Sequence, residues 1–409
     1  MNPVQRAWRV FRKRGARQAF EKVLLRLFFR TPATPTYVRY EDAIAVDWRT
    51  PHPSVSSPRQ LGDGKPGDDK LVVAWVMSPP GANSGGHQNI FRFIEFLEAA
   101  GHEVRIYLYS TVAYDTPEEA SERVRSSSSY PSVAATIEQY PEDGIPDDVD
   151  ALFATGWETA YRSYRDTSNA RRFYFVQDFE PLFYPRGTES LLAENTYRFG
   201  FTGITAGAWL AHKLTADFGM TASSFEFGAE GRNYSITNTG RRDGVFFYAR
   251  PETARRGFEL GVMALDLVAR DRPGTPIILA GQDLRGLAVP FPHENPGNMQ
   301  VGELNATYNR CAAGLVLSLT NMSLLPLELL SAGVIPVVND GENNRLVSDN
   351  EYIAYTEPNP RALADRILEI LDRADAPAHA ERAAASVGTT TWAAAGEQFM
   401  TAFDRGIRG

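Results

Sequence analysis

An α/β protein built from two parallel-sheet domains is predicted for this chain, on three observations. The stretch Leu315–Asp340 reads as strand, turn, helix and strand, and Leu71–Tyr109 reads the same way. A strand that returns through a helix to a second strand is a parallel βαβ unit. At 409 residues the chain is too long for one ordinary domain, and two are expected.

Composition narrows the class. Apolar residues make up 43% and charged residues 22%, as in a soluble globular enzyme. Cys311 is the only cysteine, so an internal disulfide is ruled out; the residue is placed in a helix before a strand and read as buried packing. The six histidines show neither H-x-x-x-H nor H-E-x-x-H spacing, so neither a metal nor a cofactor is expected. The net charge of −8 is uneven: residues 1–30 hold nine Lys/Arg and one acid, or +8, which leaves −16 on the remainder. An acidic body argues against a nucleic-acid partner.

In order, residues 4–30 set Val4, Trp8, Phe11, Phe20, Val23, Leu24, Leu27 and Phe28 at helical spacing among the cations. No uncharged run approaches the ~20 residues that span a bilayer. The reading is a basic amphipathic helix on an anionic membrane surface, held at roughly 1 kcal/mol per basic residue. A basic helix packed on the body is the alternative. With no signal-peptide cleavage pattern, a cytoplasmic protein, peripheral on the inner face of the plasma membrane, is expected. Residues 31–70 are rich in Pro, Ser, Gly and Asp and read as a loose connector.

The first domain, 71–220, opens with the strand Leu71–Met77, a small-residue turn Ser78–His87, the helix Gln88–Ala100 and the strand Val104–Tyr109. The turn lacks G-x-G-x-x-G, so a dinucleotide site is not supported. Gly85 and Gly86 let a ligand approach the backbone. His87 beside them is either an orienting or acid/base group or a helix cap. Strands at Ala151–Ala154, Phe173–Val176 and Phe201–Thr205 follow, then a helix over Ala206–Phe218. The loop Gln177–Pro185 sets Asp178 and Glu180 among rings, including Tyr184, directly after a strand. Loop carboxylates are mostly solvated, but rings in this number suit the C–H faces of a sugar. Residues 221–243 read as the interdomain linker.

The second domain, 244–390, opens with the strand Val245–Tyr248 and the helix Phe258–Arg270, with Arg250, Arg255 and Arg256 between them. Cations are disfavoured at a helix N-terminus, so three beside this one point to an anion among them. Strands at Ile277–Ala280, Met299–Val301, Gly314–Leu319 and Val334–Val338, with a helix over Glu303–Ala313, complete a parallel sheet. Gly281 ends one strand at the side where open α/β sheets bind ligands. The turn Thr320–Ser323 ends another, and the amides of Ser323, Leu324 and Leu325 open the helix Leu324–Ala332, where a phosphate is favoured. Glu328 in that apolar helix is either solvated or bonded to a ligand hydroxyl. Helices at Pro360–Arg373 and Thr391–Asp404 close the chain.

The second domain resembles family 4 of the GT-B glycosyltransferases. P-L-E-L-L-S-A-G-V-I-P-V-V matches the end of that family's Glu-x7-Glu donor segment, with Glu328, Gly333 and Pro336 in place and Thr320 where the first Glu stands. Arg250 and Arg256 match the Arg and Lys of G-R-x4-K-G, with one extra residue between them. In the first domain, the V-Q-D-F-E-P-x-F-Y-P pattern is similar to bacterial rhamnosyltransferases of surface-layer and O-antigen-type glycan assembly, although many family members have His-Asp at the position of Gln177-Asp178. The resemblance implies the GT-B fold: two facing Rossmann-like domains, with a C-terminal helix, 391–409, crossing back to the first. It implies a retaining transfer of a sugar, L-rhamnose from dTDP-L-rhamnose, to a bacterial cell-surface glycan or lipid-linked oligosaccharide. It places Arg250, Arg256, Gly281, Ser323, Leu324, Leu325 and Glu328 at the donor, and Gly85, Gly86, Gln177, Glu180 and Tyr184 at the acceptor, with Asp178 and His87 at the reaction. The missing first Glu leaves room for a catalytically inactive GT-B protein that binds glycan or scaffolds an assembly. A nucleotide-sugar epimerase of the same fold is the third reading.

Overall fold

The computed structural model describes residues 40–408 apart from 48–49, 53–69, 82–83, 111–114, 128–129, 230, 232 and 389. The basic head at 1–30 therefore lies outside the described residues, as does most of the connector.

Two parallel sheets form the body. The first runs β3-β2-β1-β4-β5-β6-β7, from β1 (Val72–Met77), β2 (Glu103–Leu108), β3 (Thr136–Gln139), β4 (Ala151–Ala154), β5 (Arg171–Val176), β6 (Thr202–Ala206) and β7 (Ala222–Phe225). Its central strands β1 and β4 are apolar throughout because helices cover both faces. Trp75, Phe153 and Phe173 stack across β1, β4 and β5 at centroid distances of 4.4 and 4.8 Å. The helices are α1 (Tyr40–Ile44), α2 (Gly85–Ala99), α3 (Pro117–Ser126), α4 (Trp157–Arg165), α5 (Thr188–Thr196) and α6 (Ala208–Phe218).

The second sheet runs β10-β9-β8-β11-β12-β13, from β8 (Gly244–Tyr248), β9 (Ile277–Ala280), β10 (Glu294–Gly297), β11 (Cys311–Val316), β12 (Ile335–Asn339) and β13 (Ala354–Thr356). Its helices are α7 (Phe258–Asp271), α8 (Val301–Tyr308), α9 (Leu325–Ser331), α10 (Glu342–Arg345), α11 (Pro360–Asp372) and α12 (Ala376–Ala385). The last helix, α13 (Trp392–Arg408), returns to the first sheet as expected. Its Phe399 packs 4.7 Å from Phe93, and a β-carbon at Gly396 or Gly406 would fall 2.5 Å from the rings of Phe96 or Phe173.

Several local expectations need correction. Cys311 opens β11 rather than sitting in a helix. The run Cys311–Gly314 is small because β11 is buried on both faces; a β-carbon on Gly314 would lie 2.6 Å from the Leu329 side chain. Small residues read equally well as helix, which displaced the predicted strand. The expected strand at Met299–Val301 lies earlier, at Glu294–Gly297; Gln300 instead caps α8, with its amide bonded to Glu303 Oε2 at 3.0 Å. Part of the expected linker is β7, an edge strand paired with β6. Part of the expected loose connector is α1, whose buried Asp42 takes Arg165 Nη1 and Tyr109 Oη at 2.5 Å each.

Candidate active site

The cleft side of each sheet is the carboxyl end of its strands. In the second domain, β8 delivers Arg250, whose Nη1 lies 3.4 Å from both Tyr248 Oη and the Gly281 carbonyl at the end of β9. Gly281 has φ +120°, and a β-carbon there would lie 2.7 Å from the Tyr248 ring. A short turn, Ala254–Arg256, ends at Gly257 with φ +55°, and α7 starts at the next residue.

The turn directs its two arginines differently. Arg256 Nη1 donates to Ser318 Oγ at 3.2 Å, with no carboxylate in direct ion-pair contact among the described residues. Desolvation pulls its pKa below the usual guanidinium range, the nearby Arg255 and Arg250 charges act in the same direction, and the Asp178 carboxylate acts against them. Arg255 lies 4.1 Å over the Phe183 ring of the first domain, and its Nε is 3.3 Å from Asp178 Oδ2. That last contact is an ion pair by distance without hydrogen-bond alignment.

The turn after β11 is built from amides. Ser318 N donates to Asn339 Oδ1 at 2.7 Å, and the Ser318 carbonyl accepts from Asn339, Asn343 and Asn344. This fixes Thr320 and Asn321 against the first domain. Asp178 Oδ2 accepts from Thr320 Oγ1 at 3.0 Å, and Asp178 Oδ1 accepts from Asn321 N at 2.9 Å and Phe179 N at 2.9 Å. Asn321 Nδ2 donates to the Gln177 and Ala206 carbonyls at 3.0 and 2.8 Å. Asp178 is therefore a joint between domains with both oxygens engaged. Farther along, the amides of Ser323, Leu324 and Leu325 precede Pro326, which has no N–H, so the donors at this end are theirs alone. Glu328 Oε2 accepts from the buried Tyr308 hydroxyl at 3.4 Å.

In the first domain Gly85 and Gly86 lie inside the first turn of α2 rather than in a loop, because the Ser84 hydroxyl caps the helix at His87 N. Gln177 is held by this end: Nε2 donates to the Gly86 carbonyl at 3.0 Å and Oε1 accepts from Asn89 at 3.1 Å. His87 Nε2 lies 3.0 Å from the Ser78 carbonyl, which requires a proton on Nε2, and Nδ1 lies 2.9 Å from Ser84 Oγ. Burial holds the imidazole below its usual range, so it is neutral near pH 7. Glu180, 7% exposed, accepts from Trp157 N at 2.7 Å, and Tyr184 Oη accepts from Trp157 Nε1 at 3.0 Å.

The structure thus gathers Gln177, Asp178, Arg250, Arg256, Gly281 and Thr320 along the facing strand ends. It also brings in Phe183 of the V-Q-D-F-E-P-x-F-Y-P segment, and residues that the motifs pass over: Ser318, Asn321 and Glu158. Asn321 and Ser318 belong to a turn whose register moved with β11, so their signal was hidden. Glu158 follows an Ala-rich strand at Thr155-Gly156 with no motif to mark it.

Two facing parallel-sheet domains with a terminal helix crossing back are the GT-B glycosyltransferase architecture. Sucrose-phosphate synthase from Thermosynechococcus elongatus superimposes with a TM-score of 0.63 at 13% identity, over 82% of this chain and 99% of that one. HepE from Anabaena, solved with UDP and glucose, does so with a TM-score of 0.63 at 12% identity, over 82% and 100%. The chain belongs to the WsaF family: residues 126–206 match the model of the WsaF N-terminal domain and 243–368 that of the WsaF C-terminal domain, together half of the chain. The O-antigen biosynthesis protein RfbC of Myxococcus xanthus is 32% identical over 347 residues, which is 80% of this chain and 26% of that protein. The chain therefore spans about a quarter of the length of this curated relative.

Proposed function

We propose that this chain transfers a sugar from a nucleotide-diphosphate donor to a bacterial cell-surface glycan, with retention of anomeric configuration. The observation that carries the reading is Arg256: a half-buried cation at the ligand end of a parallel sheet, with Arg250 and Arg255 near it and Asp178 as the acid that acts on its charge, no carboxylate lying in direct ion-pair contact with it among the described residues. A diphosphate supplies that contact. The family membership, the O-antigen biosynthesis relative and the neighbour solved with UDP and glucose support the same direction.

In this reading the bond between the sugar's anomeric carbon and the diphosphate breaks while the acceptor oxygen bonds to the same face of that carbon. The acceptor's proton passes to the departing phosphate oxygen. Arg250 and Arg256 stabilise the charge that develops there, the amides of Ser323–Leu325 add donors, and Glu328 takes the ribose hydroxyls. Gln177 orders the joint at which the acceptor lies, with Asp178 and His87 setting the geometry. In this reading guanidinium groups, rather than a metal, neutralise the diphosphate.

The donor sugar we propose is L-rhamnose, carried by dTDP. Thr320 removes a carboxylate from the sugar end, and the neighbouring Leu319 is 47% exposed, which suits the methyl group of a 6-deoxy sugar. The basic segment 1–30 then serves to hold the enzyme at an anionic inner leaflet near a lipid-linked acceptor. No helix among the described residues is long and apolar enough to cross a membrane.

The test is thermal unfolding with dTDP, UDP, GDP and ADP, for wild type and Arg250→Ala. At a hundredfold excess over Kd a ligand selective for the native state adds about 2.7 kcal/mol. A shift with dTDP that disappears in Arg250→Ala is expected. No shift with any of the four sinks the transferase reading.

A further inference from the structure

The strand β7 is the outer edge of the first sheet, and the stripe Ala394, Glu397, Gln398, Thr401 and Arg405 of α13 runs beside it. Between them lies a groove of about 420 Å³, lined on the strand side by Ser223 and Ser224. We propose that this groove is the interface between two copies of the chain. In it, β7 of each copy pairs antiparallel with β7 of the other across a two-fold axis, so that the two first sheets become one.

The strand presents an open edge. Gly203 N donates to the Thr221 carbonyl and Gly207 N to the Phe225 carbonyl, so residues 221, 223 and 225 turn their backbone groups to β6. Ala222 and Ser224 turn theirs outward. The next outward amide, Glu226 N, is taken by Gln398 Oε1 at 2.7 Å, where a neighbouring strand would place a carbonyl. Open edges invite pairing, and folds guard them with charges, proline or a very short strand. The edge strand β3 carries Glu138, β10 carries Glu294 and Pro296, and β13 ends after three residues. Ala222–Phe225 holds neither a charge nor a proline.

The stripe on α13 selects a second copy as the occupant. Glu397, Thr401 and Arg405 fall at i, i+4 and i+8, so they share one helix face over about 12 Å. All three are exposed, and neither charged group has an ion-pair partner among the described residues. The helix runs antiparallel to β7: Gln398 meets Glu226 just past the strand's end, while a β-carbon on Gly406 would lie 3.0 Å from Thr202 at the start of the adjoining β6.

A two-fold axis through Ser223 therefore reverses strand and helix together. It sets Ala222 against Ser224 of the second copy, a pair whose outward N–H and C=O groups exchange hydrogen bonds. It also sets Glu397 beside Arg405 of the second copy, and Arg405 beside its Glu397. A surface whose negative end meets its own positive end after that rotation is self-complementary, as an isologous contact requires.

Sedimentation equilibrium of the full chain over about 1–200 μM tests the interface; a dimer that dissociates in the micromolar range and weakens with salt is expected, because the contacts are few and exposed. Glu397→Arg and Arg405→Glu should each raise the dissociation constant by at least about tenfold, and the two together should restore it. Both positions are exposed, so the fold is retained. Ser224→Pro removes an outward N–H without a bond to β6 and should abolish the dimer. Ser223→Cys puts two thiols on the axis, at the ~4.5 Å Cα separation of a non-hydrogen-bonded pair, and should cross-link two chains under mild oxidation. The native Cys311 is buried and does not compete. A chain that stays monomeric throughout overturns the proposal and leaves the edge to a strand of another protein. A dimer that ignores the single charge reversals, or that Ser223→Cys fails to cross-link, also overturns it, because another face then joins the copies.

Discussion

Asp178 of the first domain accepts from the Thr320 hydroxyl of the second at 3.0 Å, and this contact explains why a carboxylate is absent at position 320. Two carboxylates at hydrogen-bond distance cannot both stay ionised. Thr320→Glu is expected to lower stability and activity together. Adding Asp178→Asn should recover part of the loss, because an amide beside a carboxylate relieves the repulsion. A double-mutant cycle by urea unfolding should return a coupling of about 1–3 kcal/mol. Effects that add within ~0.5 kcal/mol would show that the two side chains do not meet.

Arg256 gives a second expectation. Its half-buried guanidinium donates to Ser318 with no carboxylate in direct ion-pair contact among the described residues. Arg256→Met keeps the volume and removes the charge. The variant is expected to unfold later than wild type, by about 0.5–2 kcal/mol, while losing the nucleoside-diphosphate shift. Ser318 Oγ keeps its bond to the Asn321 carbonyl at 2.5 Å, so the turn survives. Thermal unfolding with and without dTDP reads both effects; a less stable variant that still binds dTDP would contradict the anion site.

The sequence made the parallel units legible because their central strands are unbroken apolar runs between turn residues: β1, β4 and β9 fall where the pattern puts them. It misplaced β11 because Cys311–Gly314 is small rather than branched, and size there answers to Leu329 packed over Gly314. The edge strands β3 and β7 are short and polar on one face, so alternation is all they show. For the site, Arg250, Arg256 and Glu328 stand out in the sequence because they fall at the spacing of a family's donor segment. The joint could not: Asp178 and Thr320 are 142 residues apart, and their pairing exists only once the sheets face each other. Glu158 lacked any local signature, since its meaning comes from Glu180 on another strand end.

The Glu158–Glu180 pair sets a pH dependence. Burial raises both pKa values above the ordinary carboxylate range, and Glu158 adds to the rise at Glu180. A carboxyl whose folded pKa is raised binds its proton more tightly in the fold. Stability is therefore lost as pH climbs from the unfolded value, about 4.3, toward the folded one. Glu180→Gln removes that penalty while its Oε1 can still accept from Trp157 N. The variant should be more stable than wild type at pH 8, and the difference should shrink toward pH 5. Other carboxylates with depressed values, such as Asp166, cancel in the comparison. Urea unfolding at several pH values checks this; a constant difference between the two proteins would show that Glu180 does not titrate with folding.

Gly281 and Gly219 together separate backbone strain from damage to the anion site. Both have positive φ, +120° and +70°, a region that side-chain-bearing residues rarely adopt. Around Gly219, the cap after α6, nothing lies within 4 Å of where a β-carbon would sit. Gly219→Ala should therefore carry the backbone cost alone, about 1–2 kcal/mol, and leave the dTDP shift intact. At Gly281 the same β-carbon falls 2.7 Å from the Tyr248 ring and 3.1 Å from the Ala249 carbonyl. The ring has to move, and Arg250 leans on it, with Nη1 3.4 Å from Tyr248 Oη. Gly281→Ala should thus be the less stable of the two and should also weaken dTDP binding. Equal losses of stability with equal dTDP shifts would mean that Tyr248 yields freely and that the placement of Arg250 does not depend on it.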